Sequence, residues 1–219
     1  MKLYIGKRLL DMDEKELDKL YLNEGSEGNL YRLGNEVLKI YKANPLISKL
    51  SKEDIEFLSK LKLKRFVVPN EVISDEEGTT LGYSANYLEE DKFDKIYSMD
   101  SKHLKEELSL LLDDIRILSM NGIELADLHL SNLMISNNKI YFLDFGSFVR
   151  TNEDFDELYM INKYIFEQFI VNVLFASSLS KKNRKKLGKE FNSRIDLISF
   201  LDEMDDGENI KNFSKKVIR

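Results

Sequence analysis

Asp127, Asn132 and Asp144 are the residues of this sequence whose types and spacing could do chemistry. Asn132 follows Asp127 by five positions, and Asp144 opens the triplet Asp144-Phe145-Gly146. Carboxylate and amide oxygens are the ligands that a hard divalent cation takes. A carboxylate held beside such a cation can orient a hydroxyl for attack. Phosphoryl transfer asks for this set, because it leaves the protein little covalent work and much positioning.

The elements that must position these groups can be read around them. Leu133 to Ser136 and Lys139 to Leu143 are apolar, strand-like runs, and Asn137-Asn138 between them tolerate the positive φ angles of a tight turn, so the spacing predicts a hairpin that brings Asn132 and Asp144 side by side. Upstream, Ser101 reads as an N-cap, and Leu104, Leu108, Leu111, Leu112, Ile115 and Leu118 form one apolar helical stripe that stops at Asn121-Gly122. That helix delivers the chain to Asp127. Singly, each signal has an ordinary explanation: Asp-x-x-x-x-Asn is common by chance, and Asp-Phe-Gly can be a strand turning at glycine.

The N-terminal half supplies a second group of residues. Leu20 to Lys42 reads as three short strands with turns at Gly25 to Gly28 and at Gly34-Asn35. Glycines in the first turn allow backbone N–H groups to approach phosphate oxygens, or simply satisfy hairpin geometry. Lys39 and Lys42 lie three positions apart, so strand alternation sends them to opposite faces, and Lys42 reads as a solvated strand-end charge. Pro45 ends the strand. Ser51 then caps a helix with Asp54 in the capping-box place, followed by Phe57, Leu58 and Leu61 at helical spacing. Arg65 to Ser74 and Thr79 to Leu88 read as two strands joined by a turn at Asp75 to Gly78, and residues 1 to 18 as a strand or arm with a short helix.

On these residues the chain resembles the protein-kinase-like superfamily, which includes phosphotransferases of the aminoglycoside and choline type. Asp127 and Asn132 match the H-R-D-L-x-x-x-x-N loop, and Asp144-Phe145-Gly146 matches D-F-G. Gly25 and Gly28 match the second and third glycines of the glycine-rich loop, with Asn23 in place of the first, and Glu36-Val37-Leu38-Lys39 resembles the V-A-I-K strand. The resemblance implies that Asp127 is the catalytic carboxylate that accepts or orients the acceptor hydroxyl proton and that Lys39 contacts the α- and β-phosphates of ATP. It implies Asn132 and Asp144 as Mg2+ ligands; Gly25, Ser26 and Gly28 over the phosphates; Leu30 as a further nucleotide-binding residue; Val37 over the adenine; and Asn86, Tyr87 and Leu88 as the hinge, with Ala85 behind the pocket. The helix acid that pairs with Lys39 falls on Asp54, with Glu53 as the alternative.

The chain also departs from that family. Leu125 and Ala126 replace the His and Arg of H-R-D, which removes the usual receptor for an activation-loop phosphate, and there is no A-P-E. His129 reads either as loop support or as a substrate or phosphate contact. Asp156 reads as a tether of the catalytic loop or as an ordinary helix-start acid. The implied fold is α+β and two-lobed, a single kinase-like domain with a small antiparallel sheet lobe over 1–88 and a minimal helical lobe over 89–219. The implied activity is that of an ATP- and Mg-dependent kinase, foremost a small serine/threonine protein kinase with a reduced activation segment. The alternatives are a small-molecule kinase and a pseudokinase or nucleotide-binding scaffold.

Composition bounds the reading. The chain has 219 residues, 42% hydrophobic and 33% charged, enough for a real core. It has no cysteine, which excludes a disulfide framework and thiolate metal sites and fits a cytoplasmic location. The N-terminus lacks a signal-peptide core, and the run Phe169 to Ala176 is too short to span a bilayer, so no membrane partner is expected. A net charge of -6 argues against nucleic acid covering the whole surface. The basic run Lys181, Lys182, Arg184, Lys185, Lys186 and Lys189 reads as a solvated helix face, with a docking patch for an acidic partner as the alternative. The phosphate acceptor itself, protein or small hydroxyl compound, is not encoded in any of these motifs.

Overall fold

The computed structural model describes residues 2–43, 49–126, 128–143, 149–177, 179–194 and 196–218. Of the residues singled out above, Pro45, Asp127, Asp144, Phe145 and Gly146 lie outside them. The described residues mix helix and antiparallel sheet, and they divide into two compact units.

The first unit takes in most of the chain up to Glu89. It contains β1 (Lys2–Ile5), β2 (Arg8–Asp11), α1 (Glu14–Asp18), β3 (Tyr21–Glu24), β4 (Gly28–Leu33), β5 (Glu36–Tyr41), α2 (Lys52–Leu58), β6 (Pro69–Ser74) and β7 (Thr80–Asn86). The strands form one seven-stranded antiparallel sheet in the order β2-β1-β6-β7-β5-β4-β3. The three strands expected between Leu20 and Lys42 and the later hairpin are present; the N-terminal arm is itself a hairpin, β1 with β2.

Alternation gives this sheet two distinct faces. Tyr31, Leu38 and Ile73 on one face join Leu3, Ile5 and Leu17 in a buried cluster. The sheet is drawn tight at Gly82, where a Cβ would lie 1.9 Å from the Lys39 carbonyl oxygen. Ser84, opposite Leu38, buries its hydroxyl without a hydrogen-bond partner among the described residues. A buried unmade hydrogen bond costs about 1 to 3 kcal/mol. Ser84→Ala is therefore expected to raise the thermal midpoint slightly, and a lower midpoint would show that the hydroxyl is satisfied in solution.

The second unit is built on α3 (Ser101–Met120), followed by β8 (Ile123–Glu124), β9 (Leu133–Ser136), β10 (Lys139–Phe142), β11 (Val149–Arg150), α4 (Phe155–Ile170), α5 (Lys181–Asn192), α6 (Leu197–Leu201) and α7 (Ile210–Val217). The leucine stripe of α3 is buried, Leu104, Leu108, Leu111, Ile115 and Leu118 completely so. Asp100, not Ser101, caps the helix through the His103 N–H, and the Ser101 hydroxyl donates to the Asp205 carbonyl. His103 places Nε2 2.6 Å from the Asn138 carbonyl oxygen and so ties the hairpin turn to α3. Phe175, Phe191, Phe200 and Phe213 pack edge to face as an aromatic core for the last helices.

Glu107 and Asp114 interrupt the buried side of α3 and hold residues 64–66 within this unit. Glu107 pairs through both oxygens with Arg65, at 2.6 and 2.7 Å, and accepts the Ile140 N–H. Burial pushes the Glu107 carboxyl up, but the Arg65 and Ile140 hydrogen bonds outweigh it and hold the group below its ordinary value. Asp114 accepts the backbone N–H groups of Lys64, Arg65 and Phe66.

A third buried acid, Glu167, has the opposite sign to Glu107. Glu167 accepts the Leu197 N–H, and Lys163 stands 3.8 Å away, but burial dominates and raises its carboxyl above the ordinary value of 4.5. The folded state thus binds the proton more tightly than the unfolded chain. The stability this proton contributes is complete below the unfolded value and is lost as pH rises through the folded one. Glu167→Gln is expected to remove that decline, seen as a flatter thermal midpoint as pH rises above the ordinary glutamate value. Parallel pH profiles for the two proteins would refute the assignment.

Candidate functional site

Residues directly opposite in an antiparallel pair point to the same side of the sheet. Leu30 is paired with Lys39, and Lys39 with Tyr83; Val37 is paired with Arg32 and Ala85. Leu30, Val37, Lys39, Tyr83 and Ala85 therefore share the face opposite the buried Tyr31–Leu38 cluster. Leu30, Val37, Lys39 and Ala85 are among the residues that the family resemblance assigns to a nucleotide site, and Tyr83 is added to them. Tyr41, on the same face, donates to the Leu50 carbonyl just before α2.

The glycine turn joins β3 to β4, with the Gly25 N–H bonded to the Gly28 carbonyl and Ser26 and Glu27 at the tip. Gly28 is required by strand packing as well as by any ligand: a Cβ there would lie 2.5 Å from the Ile40 carbonyl oxygen. Two lysines of the β5 region hold the turn. Lys39 Nζ lies 2.5 Å from Glu27 Oε2, with only 8% and 14% of the two side chains exposed. Lys42 Nζ donates to the Gly25 carbonyl at 2.8 Å and pairs with Glu24 at 2.5 Å. The Lys42 ammonium holds the Glu24 carboxyl below its ordinary value.

These contacts revise one expectation and add one residue to the site. Lys42 is not a solvated strand-end charge but a pin of the glycine turn. The acid that meets Lys39 at this turn is Glu27, which sequence reading did not name. Asp54 closes the capping box with Ser51, its carboxylate accepting the Ser51 hydroxyl at 2.7 Å while its N–H donates to that oxygen. Glu53 is exposed. At the expected hinge, the Tyr87 N–H donates to the Asn35 carbonyl, the Arg32 guanidinium lies 3.9 Å from the Tyr87 ring centre, and Asn86 accepts from Asn70. Leu88 is half-buried.

In the second unit the expected hairpin is present as β9 and β10. Asn137 and Asn138 have φ of 49° and 60°, and Ser136 faces Lys139, the geometry of a two-residue type I′ turn. Before β9, Leu130–Asn132 form a 3-10 turn capped by His129, whose Nδ1 accepts the Ser131 N–H and lies 2.9 Å from the Ser131 hydroxyl. The His129 side chain, itself exposed, thus supports this turn locally. The Asn132 N–H donates to the His129 carbonyl, and its side-chain oxygen faces the Ser131 hydroxyl at 3.4 Å.

Leu125, two residues before Asp127, is held by Asn162 of α4. The fully buried Asn162 side chain accepts the Leu125 N–H and donates to the Ser119 hydroxyl and the Ile123 carbonyl. Asp156, considered for this tether, is exposed and lies in the first turn of α4. β8 pairs with β11, and the Thr151 N–H donates to the Gly122 carbonyl. Among the described residues no group of three or more His, Asp or Glu side chains forms a metal cage. Asn132 is the described member of the expected Mg2+ ligand pair, and Asp144 lies outside.

Neither a scan against protein-family models nor a search of curated proteins finds a match to this chain. No helix among the described residues is long and apolar enough to cross a membrane.

Proposed function

We propose that this chain is an ATP- and Mg2+-dependent phosphotransferase of the protein-kinase-like superfamily, acting foremost on protein serine or threonine hydroxyls. The proposal includes the two-lobed kinase-like fold, with the sheet unit as the nucleotide lobe. The observation that carries it is the gathering of Leu30, Val37 and Lys39 on one sheet face whose strands are joined by the Gly25 to Gly28 turn. A buried lysine flanked by apolar side chains fits a polyphosphate with an apolar base beside it. On the second unit, the Asn162 tether fixes Leu125, and the capped turn fixes Leu130–Asn132, the described residues that precede and follow Asp127 in the sequence.

In this reading Lys39 and the turn amides would hold the phosphates, and Asn132 and Asp144 would hold Mg2+, which supplies charge neutralisation on the transferring group. Asp127 would orient the acceptor hydroxyl. The lysines of α5 are exposed on one helix and form the surface on which an acidic partner would dock. The test is a screen with labelled ATP against serine/threonine proteins and small hydroxyl compounds, alongside calorimetric titration of ATP with and without Mg2+. Transfer to proteins is expected. Transfer to small acceptors alone would reassign the substrate, retained Mg-ATP binding without transfer would indicate a scaffold, and absence of nucleotide binding would sink the family reading.

A further inference from the structure

We propose that Glu27 is the gate of the phosphate site: an anionic ligand reaches Lys39 by displacing the Glu27 carboxylate. The inference rests on the nucleotide reading and deepens it by naming the residue that selects for polyphosphates. Glu27 sits at the tip of the glycine turn, where backbone amides would meet phosphate oxygens. Its side chain turns onto Lys39 at 2.5 Å, largely out of water. Its backbone is fixed as well, because the Lys42 N–H donates to the Glu27 carbonyl and the Lys42 ammonium holds the other arm of the turn at Glu24 and Gly25. The turn is thus drawn onto β5 at two points, and the inner point is the lysine that a phosphate would use.

A carboxylate and a phosphate oxygen cannot both occupy the same donor positions of one ammonium group without mutual repulsion. Parting a largely desolvated ion pair is costly unless another anion takes the vacated place. A ligand with two or more phosphates supplies that anion; an uncharged nucleoside does not. Glu27 therefore sets a charge threshold at the site. Replacing it by glutamine keeps the shape and removes the competing charge.

The experiment measures tripolyphosphate, ATP and adenosine by calorimetry on the full chain, for the native protein, Glu27→Gln, Lys39→Ala and the double variant. In parallel, the rate at which an amine-directed acylating reagent labels Lys39 is followed by mass spectrometry, with Lys42 as the internal reference. Tripolyphosphate and ATP are expected to bind Glu27→Gln about tenfold more tightly, a change of about 1.4 kcal/mol, with adenosine unchanged. The gain should vanish in the Lys39→Ala background, and Lys39 should label several-fold faster in Glu27→Gln. Unchanged labelling, or tripolyphosphate binding that is equal or weaker in Glu27→Gln, overturns the gate. Tighter tripolyphosphate binding with no preference for ATP over tripolyphosphate leaves the gate standing and removes the nucleotide reading alone.

Discussion

Lys39→Ala is expected to lower phosphoryl transfer by on the order of a hundredfold or more, the scale seen when one pre-placed charge is removed from a developing anion. The fold should survive. Lys39 projects from the sheet face opposite the Tyr31–Leu38–Ile73 cluster, so its loss opens no cavity in that core. It does leave the largely buried Glu27 carboxylate without this ammonium, for which a clear drop in thermal midpoint is expected. Lys42→Ala is the contrast. Lys42 holds Glu24 and the Gly25 carbonyl, so its removal should loosen the glycine turn and weaken nucleotide binding a few-fold without abolishing transfer. Initial rates with saturating ATP, together with circular dichroism, separate the two. A Lys42 variant more impaired than the Lys39 variant would mean that the wrong lysine has been assigned to the phosphates.

Where a signal was local, the sequence carried it. Asn137-Asn138 between two apolar runs is a turn whose chemistry is contained in two residues, and both adopt the positive φ that asparagine tolerates. The capping box of Ser51 and Asp54 is equally local. The helix of the leucine stripe was legible for the same reason, although Asp100 and Ser101 are adjacent good caps and composition could not choose between them. Strand β2 escaped because Arg8–Asp11 sits at the sheet edge and is mostly exposed, leaving no apolar alternation to read.

Partners far apart in the chain were not legible. Glu27 meets Lys39 only because the register of β4 on β5 returns the turn to that lysine. His103 finds its acceptor 35 positions away, and Asn162 reaches back 37 to Leu125. One long-range requirement is visible in the sequence. Glu107 and Asp114 lie seven positions apart on the stripe defined by Leu104, Leu108, Leu111, Ile115 and Leu118, and an acid on a buried helical face has to find donors.

Asp114→Ala is accordingly expected to be the most destabilising single change in the helical unit. Asp114 is fully buried, and its two oxygens accept the N–H groups of three consecutive residues at 2.6 to 3.1 Å. Alanine leaves those amides facing a cavity where the carboxylate stood. Each orphaned buried donor costs about 1 to 3 kcal/mol, and partial rearrangement toward water recovers some of it, so a net loss of about 3 to 5 kcal/mol is expected. The same residues carry a second anchor in the Arg65–Glu107 pair, and Phe66 stacks on Phe142 with ring centres 5.1 Å apart. The segment should therefore loosen without the helices melting first. Asp114→Asn keeps one acceptor oxygen and should fall between alanine and the native protein. Urea unfolding followed by circular dichroism measures the series. A loss below about 1 kcal/mol for alanine would mean that water already satisfies these amides and that the carboxylate is dispensable.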